Sequence, residues 1–422
     1  MYYNYKIGII SIVIMGYTRI ALKGISWMSV FRVFTRVLSF LKIAVLARVL
    51  TPSQFGVFGI ASLVLALLEI LTETGVNIIL IQTKKDIEEY IDSAWVVSII
   101  RGIIISTVII ISSPFIAGFF KTPEAINILL LISIVPFIKG FINPAEVKFR
   151  KELNFSYEFW FRSFIFLVDS VVAIIFALFT HSVYSLVFGL IAGAIVEVVI
   201  SFVLIKPIPK LKFKSNYLNE ILHKGKWITA YGILNYFSDN GDNIIVGRVL
   251  GSSALGIYQM AYKISILPIT EVSDVISQVV FPVYTKIEGD IKRLIKAYIK
   301  TMLVIFVGTL TIGMLVFIFP TEIVRLILGP QWLSAVPVLK ILAIYGILRS
   351  IAGPSSALFL SRGKQNYITA MTFIRFLTLI ITIYPLILMY GMIGAGYSAL
   401  ISVLAEFPVI IYFIFKILRS KE

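Results

Sequence analysis

Arg48-Val49-Leu50-Thr51-Pro52-Ser53-Gln54-Phe55-Gly56 and Arg248-Val249-Leu250-Gly251-Ser252-Ser253-Ala254-Leu255-Gly256 spell nearly the same thing at a constant offset of 200 positions. Arg, Val, Leu, Ser and Gly coincide without a gap. At the same offset Trp27 matches Trp227 upstream, and Ala61 matches Ala261 downstream. A repeat of this length marks a duplicated half. In a multi-span membrane protein a duplicated half is the usual build of a secondary transporter.

Working outward, the rest of the chain supplies the membrane. It is 59% hydrophobic with a mean hydropathy of +0.97, against roughly 45–50% apolar in soluble domains. Apolar runs of about 20 residues recur along it, each long enough to cross a bilayer as a helix. Spans are predicted at 26–48, 55–77, 93–118, 126–144, 158–179, 183–205, 227–249, 255–281, 300–320, 335–359, 367–389 and 393–416. The loops between them are too short to fold a soluble catalytic domain. The expected fold is all-α, a polytopic membrane protein of about 12 transmembrane helices in two parallel six-helix bundles. The expected divisions are an N-terminal bundle over 1–205, a basic cytoplasmic linker over 206–226 and a C-terminal bundle over 227–422. An even number of spans per half makes the repeat parallel rather than inverted. The apolar stretch Ile7–Met15 is too short to span and reads as part of an interfacial helix within residues 1–24.

Charge gives the orientation. One set of loops, with both termini, carries about 25 Lys and Arg, including Lys84, Lys148, Lys210 and Lys292; the other carries about four, Arg48, Lys121, Arg248 and Arg325. By the positive-inside rule both termini are cytoplasmic. The net charge of +16 therefore points to membrane lipids rather than to nucleic acid. Cysteine is absent and only His181 and His223 are histidines, so no metal site, cysteine nucleophile or disulfide is expected. No Gly-rich phosphate loop supports ATP hydrolysis, and no cofactor is implied.

Ionisable residues inside spans cost on the order of 2.5–3.5 kcal/mol each near a helix centre, so they mark protein or water rather than lipid. Arg32 and Arg36 are one helical turn apart, with Lys42 about 80° from Arg32. They read as a cationic wall, or as snorkelling side chains at the interface. Glu69 and Glu73 in the second span are one turn apart and could pair with Arg36 or Lys42. Glu271 and Asp274 share a face of the eighth span. The seventh span is the most polar, with Asn235, Asp239, Asn240, Asp242 and Asn243. Asn235, Asp239 and Asp242 fall within about 60° of one another, so the stretch either lines water, is broken at Gly241, or makes a buried salt bridge. Arg101, Asp169, Glu197, Arg349, Arg375 and Glu406 have no ionisable neighbour one turn away. Of these, Arg349 and Arg375 join the candidate cationic cavity. The candidate substrate-binding residues are thus Arg32, Arg36, Lys42, Asn235, Arg349 and Arg375. The candidate ion-coupling residues are Glu69, Glu73, Asp239, Asp242, Glu271 and Asp274, and no catalytic residue is assigned. Tyr236, Tyr258 and Tyr262 are weaker candidates for stacking on sugar rings.

Several stretches carry a family likeness: Lys23-Gly24-Ile25-Ser26-Trp27, Leu46-Ala47 followed by the Arg48–Gly56 motif, Glu73-Thr74-Gly75-Val76-Asn77-Ile78-Ile79-Leu80-Ile81-Gln82, and Lys224-Gly225-Lys226-Trp227. Together they resemble the oligosaccharide flippases, the Wzx-like polysaccharide transporters of the multidrug/oligosaccharidyl-lipid/polysaccharide exporter superfamily. The resemblance implies an inner-membrane flippase. Such a protein moves an undecaprenyl-pyrophosphate-linked oligosaccharide to the outer leaflet by alternating access, in company with glycan polymerase and chain-length proteins. It supplies no motif that assigns individual cavity residues.

Two other readings compete. A small-molecule or drug antiporter would share the architecture, but a major-facilitator protein normally carries a Gly-Asp-Arg-type loop after its second span, where this chain has Thr83-Lys84-Lys85-Asp86-Ile87-Glu88-Glu89. A membrane-bound glycan polymerase or ligase would need a sizeable outer loop, and no predicted outer loop exceeds about 15 residues.

Overall fold

A computed structural model describes residues 34–72, 88–152, 154–212 and 215–419. Among these residues all regular structure is helical. Helix α1 covers residues 34–49. There follow α2 (Pro52–Leu71), α3 (Glu88–Phe120), the short α4 (Ala125–Ile132) and α5 (Ile134–Lys139), a 3-10 turn at Pro144–Val147 and a four-residue α6 (Lys148–Lys151). Then come α7 (Phe155–Thr180), α8 (Tyr184–Leu204), α9 (Ser215–Leu250), α10 (Ser252–Lys286) and α11 (Ile291–Ile318). A short α12 (Pro320–Ile327) and a 3-10 turn at Pro330–Ala335 lead into α13 (Val336–Ser361), α14 (Gln365–Tyr390) and α15 (Met392–Arg419). Among the described residues nine helices are long and apolar enough to cross a membrane, and the chain is a multi-pass membrane protein. Large apolar side chains such as Phe115, Phe179 and Met389 stand exposed on these helices, as lipid-facing positions do.

Among the described residues the predicted spans correspond to helices except over 126–144, and the helix of the seventh span begins at Ser215, within the expected linker 206–226. The span expected over 126–144 is not one helix: it breaks at Ser133 between α4 and α5 and ends at Lys139. Pro136 has no N–H to return to residue 132, and beside the break the Ser133 carbonyl accepts from Ser106 Oγ at 2.6 Å. The seventh span is not broken at Gly241, because α9 runs unbroken from Ser215 to Leu250. The expected interfacial segment at 1–24 lies outside the described residues.

The chain divides into two compact units. The described residues of the first lie within Met1–Leu46, Thr72–Ser112 and Leu129–Thr229. Its core joins Tyr90, Ile91, Ala94 and Val97 of α3 to Ala145, Val147, Phe161 and Ile205. Buried Asn143 pins the end of α8. Its Nδ2 donates to the carbonyls of Ile205 and Pro207 at 3.2 and 3.1 Å, its N–H donates to Ser201 Oγ, and its Oδ1 caps Ala145 N. Helices α7 and α8 approach closely because α8 presents glycine. A Cβ on Gly189 would lie 2.6 Å from the Asp169 carbonyl oxygen and 2.8 Å from Ala173 Cβ. Small residues replace hydrophobic driving force in lipid in this way.

The second unit is Ala47–Leu71, Ser113–Ile128 and Ala230–Glu422. The repeated motif becomes a reciprocal joint here. A Cβ on Gly56 would run into the Ser252 carbonyl, and a Cβ on Gly256 into the Pro52 carbonyl. Each repeat's glycine therefore faces the other repeat's helix start. The arginines are exchanged in the same sense. Arg48 Nη2 donates to the Leu326 carbonyl at 2.6 Å, and the Arg248 guanidinium lies 5.2 Å from the centre of the Phe119 ring. Fully buried Trp332 donates from Nε1 to the Ala47 carbonyl at 2.8 Å and meets Phe55 edge-on at 5.3 Å. Gln331 Nε2 donates to the carbonyls of Ala47 and Leu50. These bonds cap carbonyls at the end of α1 that have no intrahelical partner.

Candidate functional site

Four charged side chains from four helices of the second unit converge. Asp239 comes from α9, Arg349 from α13, Arg375 from α14 and Glu406 from α15. Arg375 Nη2 donates to Asp239 Oδ1 at 3.4 Å, and Arg349 Nη2 lies 3.9 Å from the same oxygen. On the other side Glu406 Oε2 is 3.7 Å from Arg349 Nη1 and 3.9 Å from Arg375 Nη1. Two guanidinium groups thus sit between two carboxylates. The cluster is lopsided in exposure: the side chains of Arg375 and Glu406 are 5% and 4% exposed, while that of Asp239 is 55% exposed.

Small and hydroxylic residues hold the helices that carry these charges. Ser350, next to Arg349, donates to the Ile269 carbonyl of α10 at 3.3 Å and accepts with its own carbonyl from Ser273 Oγ at 2.8 Å. Between α14 and α15, Thr382 and Ser398 share a hydrogen bond at 2.7 Å, and Ser398 Oγ donates to the Leu379 carbonyl, one turn beyond Arg375. The supports are hydrogen-bonded and buried, so the guanidinium groups are held from behind.

The other candidate residues fall elsewhere. Asp242 is buried one turn from Asp239 and is satisfied: it accepts from Tyr258 Oη at 2.8 Å, from Asn243 N at 2.7 Å and from Asn243 Nδ2 at 3.0 Å. Asn235 is half-buried on α9, and so is Glu69 on α2. On α10 Glu271 is half-buried and Asp274 exposed. Tyr258 is fully buried and Tyr236 is 4% exposed, with its hydroxyl donating to the Leu63 carbonyl at 2.7 Å. The sugar-stacking expectation therefore does not hold for these two rings, which are packed inside the unit. Arg32 and Glu73 lie outside the described residues.

In the first unit Lys42 Nζ bonds both oxygens of Asp169, at 2.9 and 2.8 Å. Asp169, which the spacing of charges did not pair with it, is a partner of Lys42. Asp169 borders a cavity of about 370 Å³ lined also by Thr35, Lys139, Arg162 and Glu197 among others. Arg162 is itself paired with Glu158 at 3.0 Å. Arg36 is exposed on α1. Asp169 and Glu406 are the site residues that helical spacing alone did not select, since their partners sit on other helices. Their only signal was a carboxylate inside an apolar run.

A family model described as "Polysaccharide biosynthesis protein" matches residues 45–337, more than half of the chain. The chain belongs to this family. It is 28% identical to an uncharacterized membrane protein in the cps region of Klebsiella pneumoniae, over 90% of this chain and 79% of that one. It is 23% identical to the lipopolysaccharide biosynthesis protein WzxC of Escherichia coli K12, covering 82% and 70%. It is 24% identical to the teichuronic acid biosynthesis protein TuaB of Bacillus subtilis 168, covering 83% and 73%. Among solved structures it is similar to the lipid II flippase MurJ in an inward closed conformation, with a TM-score of 0.76 at 15% identity over 92% of this chain and 87% of that one. It is also similar to an inward-facing multidrug resistance transporter of the MATE family in the MOP superfamily, with a TM-score of 0.71 at 15% identity, covering 92% and 96%. These two likenesses show the fold of this chain.

Proposed function

We propose that this protein is a transporter rather than an enzyme. It carries an undecaprenyl-pyrophosphate-linked oligosaccharide from the cytoplasmic to the outer leaflet of the plasma membrane by alternating access. The carrying observation is the Arg349–Arg375 pair, two guanidinium groups converging deep within apolar helices. Guanidinium forks match phosphate oxygens two at a time, and a lipid-linked head group needs such donors where water is scarce. The prenyl tail stays in lipid throughout. Membership of a polysaccharide biosynthesis family supports this substrate class, as does similarity to WzxC and TuaB. So does a fold shared with a lipid II flippase.

Within this reading Arg32, Arg36, Lys42 and Asn235 join Arg349 and Arg375 in binding cargo. Glu69, Glu73, Asp239, Asp242, Glu271 and Asp274 are the candidate carboxylates for ion coupling, Asp242 being already bonded to Tyr258 and Asn243. The two six-span halves, 1–205 and 227–422, are joined by the basic segment 206–226, and both termini are cytoplasmic by the charge asymmetry of the loops. Glycan polymerase and chain-length proteins are the expected neighbours, and anionic membrane lipids the expected surroundings.

The test is reconstitution of the whole chain in liposomes, presenting either a pyrophosphate-linked glycolipid or a cationic dye. Movement of the glycolipid, read by an external lectin, and no movement of the dye is the expected result. Dye transport without glycolipid movement would overturn the reading in favour of a drug antiporter, which the MATE-like fold also accommodates.

A further inference from the structure

We infer that Asp239 is a built-in counter-anion that occupies the Arg349–Arg375 site until cargo phosphate displaces it. This inference rests on the reading of that pair as the head-group site. Three observations lead to it. First, the two carboxylates of the cluster are not equivalent. Glu406 is 3% exposed, so releasing it would strand a charge in a dry interior. The Asp239 side chain is 55% exposed and can turn to water with little loss. Glu406 is the permanent partner and Asp239 the removable one.

Second, the contacts are loose. Charge-assisted N–H···O bonds close to roughly 2.7–2.9 Å. The Lys42–Asp169 pair of the same protein reaches 2.8 Å, whereas the four contacts of the cluster run from 3.4 to 3.9 Å. The looseness extends to Glu406, at 3.7 and 3.9 Å, so it marks the arginine pair as under-satisfied, and exposure is what singles out Asp239 as the removable partner.

Third, donors are left over. Arg375 is 4% exposed, yet its Nε is buried with no hydrogen-bond partner. A guanidinium carries five N–H donors, and Asp239 accepts one bond from Arg375. A tetrahedral phosphate offers several oxygens at the correct spread, so it satisfies this fork better than one loosely held carboxylate.

A functional linkage follows. With Asp239 ionised the four charges cancel, and an incoming phosphate meets no net attraction. Whatever neutralises Asp239, a proton or an alkali cation, leaves the arginine pair with one net positive charge. Anion affinity then rises. By reciprocity the bound anion raises the affinity of Asp239 for that cation by the same factor. Cargo and cation are thereby favoured together on the same side of the membrane. The charged and ionisable groups around Asp239 are Arg349 and Tyr345 on α13, Arg375 on α14, Glu406 on α15, Tyr262 on α10 and Asp242 on its own helix. Asp242 is already saturated by Tyr258 and Asn243, which leaves Asp239 as the group free to exchange partners.

The experiment is calorimetric titration of the full chain in nanodiscs with inorganic pyrophosphate, under acidification and with added sodium. Wild type is expected to bind more tightly on acidification or with sodium, and the arm that responds identifies the cation. Asp239→Asn keeps the shape of the side chain and is expected to bind roughly ten-fold more tightly than wild type near neutrality, with the cation dependence gone. The probe's own protonation is common to both proteins and cancels in their ratio. Glu406→Gln is expected to keep the cation dependence. Equal affinity and equal cation dependence in wild type and Asp239→Asn would overturn the inference. A folded Arg375→Ala that binds pyrophosphate like wild type would instead overturn the head-group site itself, so the two failures are distinguishable. Monodisperse elution of each variant establishes that it is folded, and Asp239→Ala serves if the asparagine variant does not fold.

Discussion

Two regions of the second unit hold helices together in opposite ways. The repeated motif makes a joint of backbone against backbone: Gly56 on Ser252, Gly256 on Pro52, with Trp332 sealed over the end of α1. Trp332, Ala47 and Leu50 are wholly buried there. The charge cluster of Asp239, Arg349, Arg375 and Glu406 has long contacts and a half-exposed member. The joint is duplicated and the cluster is not, since the position matching Asp239 at the repeat offset is Ser39. The duplicated motif is thus a rigid two-sided fastening, whereas the cluster of Asp239, Arg349, Arg375 and Glu406 is built from helices of the second unit. A tight joint fixes helices, whereas a loose, neutral cluster can trade one partner for another at small cost.

The comparison predicts a steep order of sensitivities. Glu406→Ala strands the buried Arg375 and removes a contact from the half-buried Arg349, and is expected to cost about 3–5 kcal/mol, read as loss of folded protein in a detergent thermal melt. Asp239→Ala in the same melt is expected to cost under about 1 kcal/mol. Equal losses would erase the distinction between permanent and removable partner. In the joint, Gly256→Ala forces a Cβ into the Pro52 carbonyl and is expected to cost about 1–3 kcal/mol. Gly118→Ala in α3, where a Cβ meets nothing within 4 Å, is expected to be neutral or stabilising by about 0.5–1 kcal/mol. A double-mutant cycle on Lys42 and Asp169 should return a coupling of about 0.5–3 kcal/mol, and zero coupling would leave that pair without energetic weight. Trp332→Phe, which keeps the ring against Phe55 and removes one hydrogen bond, is expected to cost about 1 kcal/mol in the same melt.

The sequence was most legible where a local rule applied. Apolar runs located the long helices, because crossing a bilayer demands about 20 such residues whatever the tertiary context. The repeat announced itself in Arg48–Gly56 and Arg248–Gly256, although only the structure shows the glycines facing across to the opposite repeat. The break at Ser133 was hidden because 126–144 is apolar enough for one span, and a proline inside a membrane helix is compatible with either outcome. Asp239, Arg349 and Arg375 each stood out as a charge in an apolar run. Their meeting with Glu406 did not, because helical phase relates residues on one helix and is silent between helices. The Lys42–Asp169 bond spans 127 positions and was invisible for the same reason. The ring of Tyr258 was only a weak candidate for stacking, and its hydroxyl serves Asp242, a role no local pattern signals.

The most direct test of the account is the rate at which a pyrophosphate-linked oligosaccharide, supplied in liposomes, becomes accessible to an external lectin through wild type and through an Arg349→Ala, Arg375→Ala double variant that inserts normally. The arginine pair as head-group site predicts a fall of about 100-fold or more, comparable to losing two charge-assisted contacts. Translocation by the double variant at the wild-type rate would contradict it.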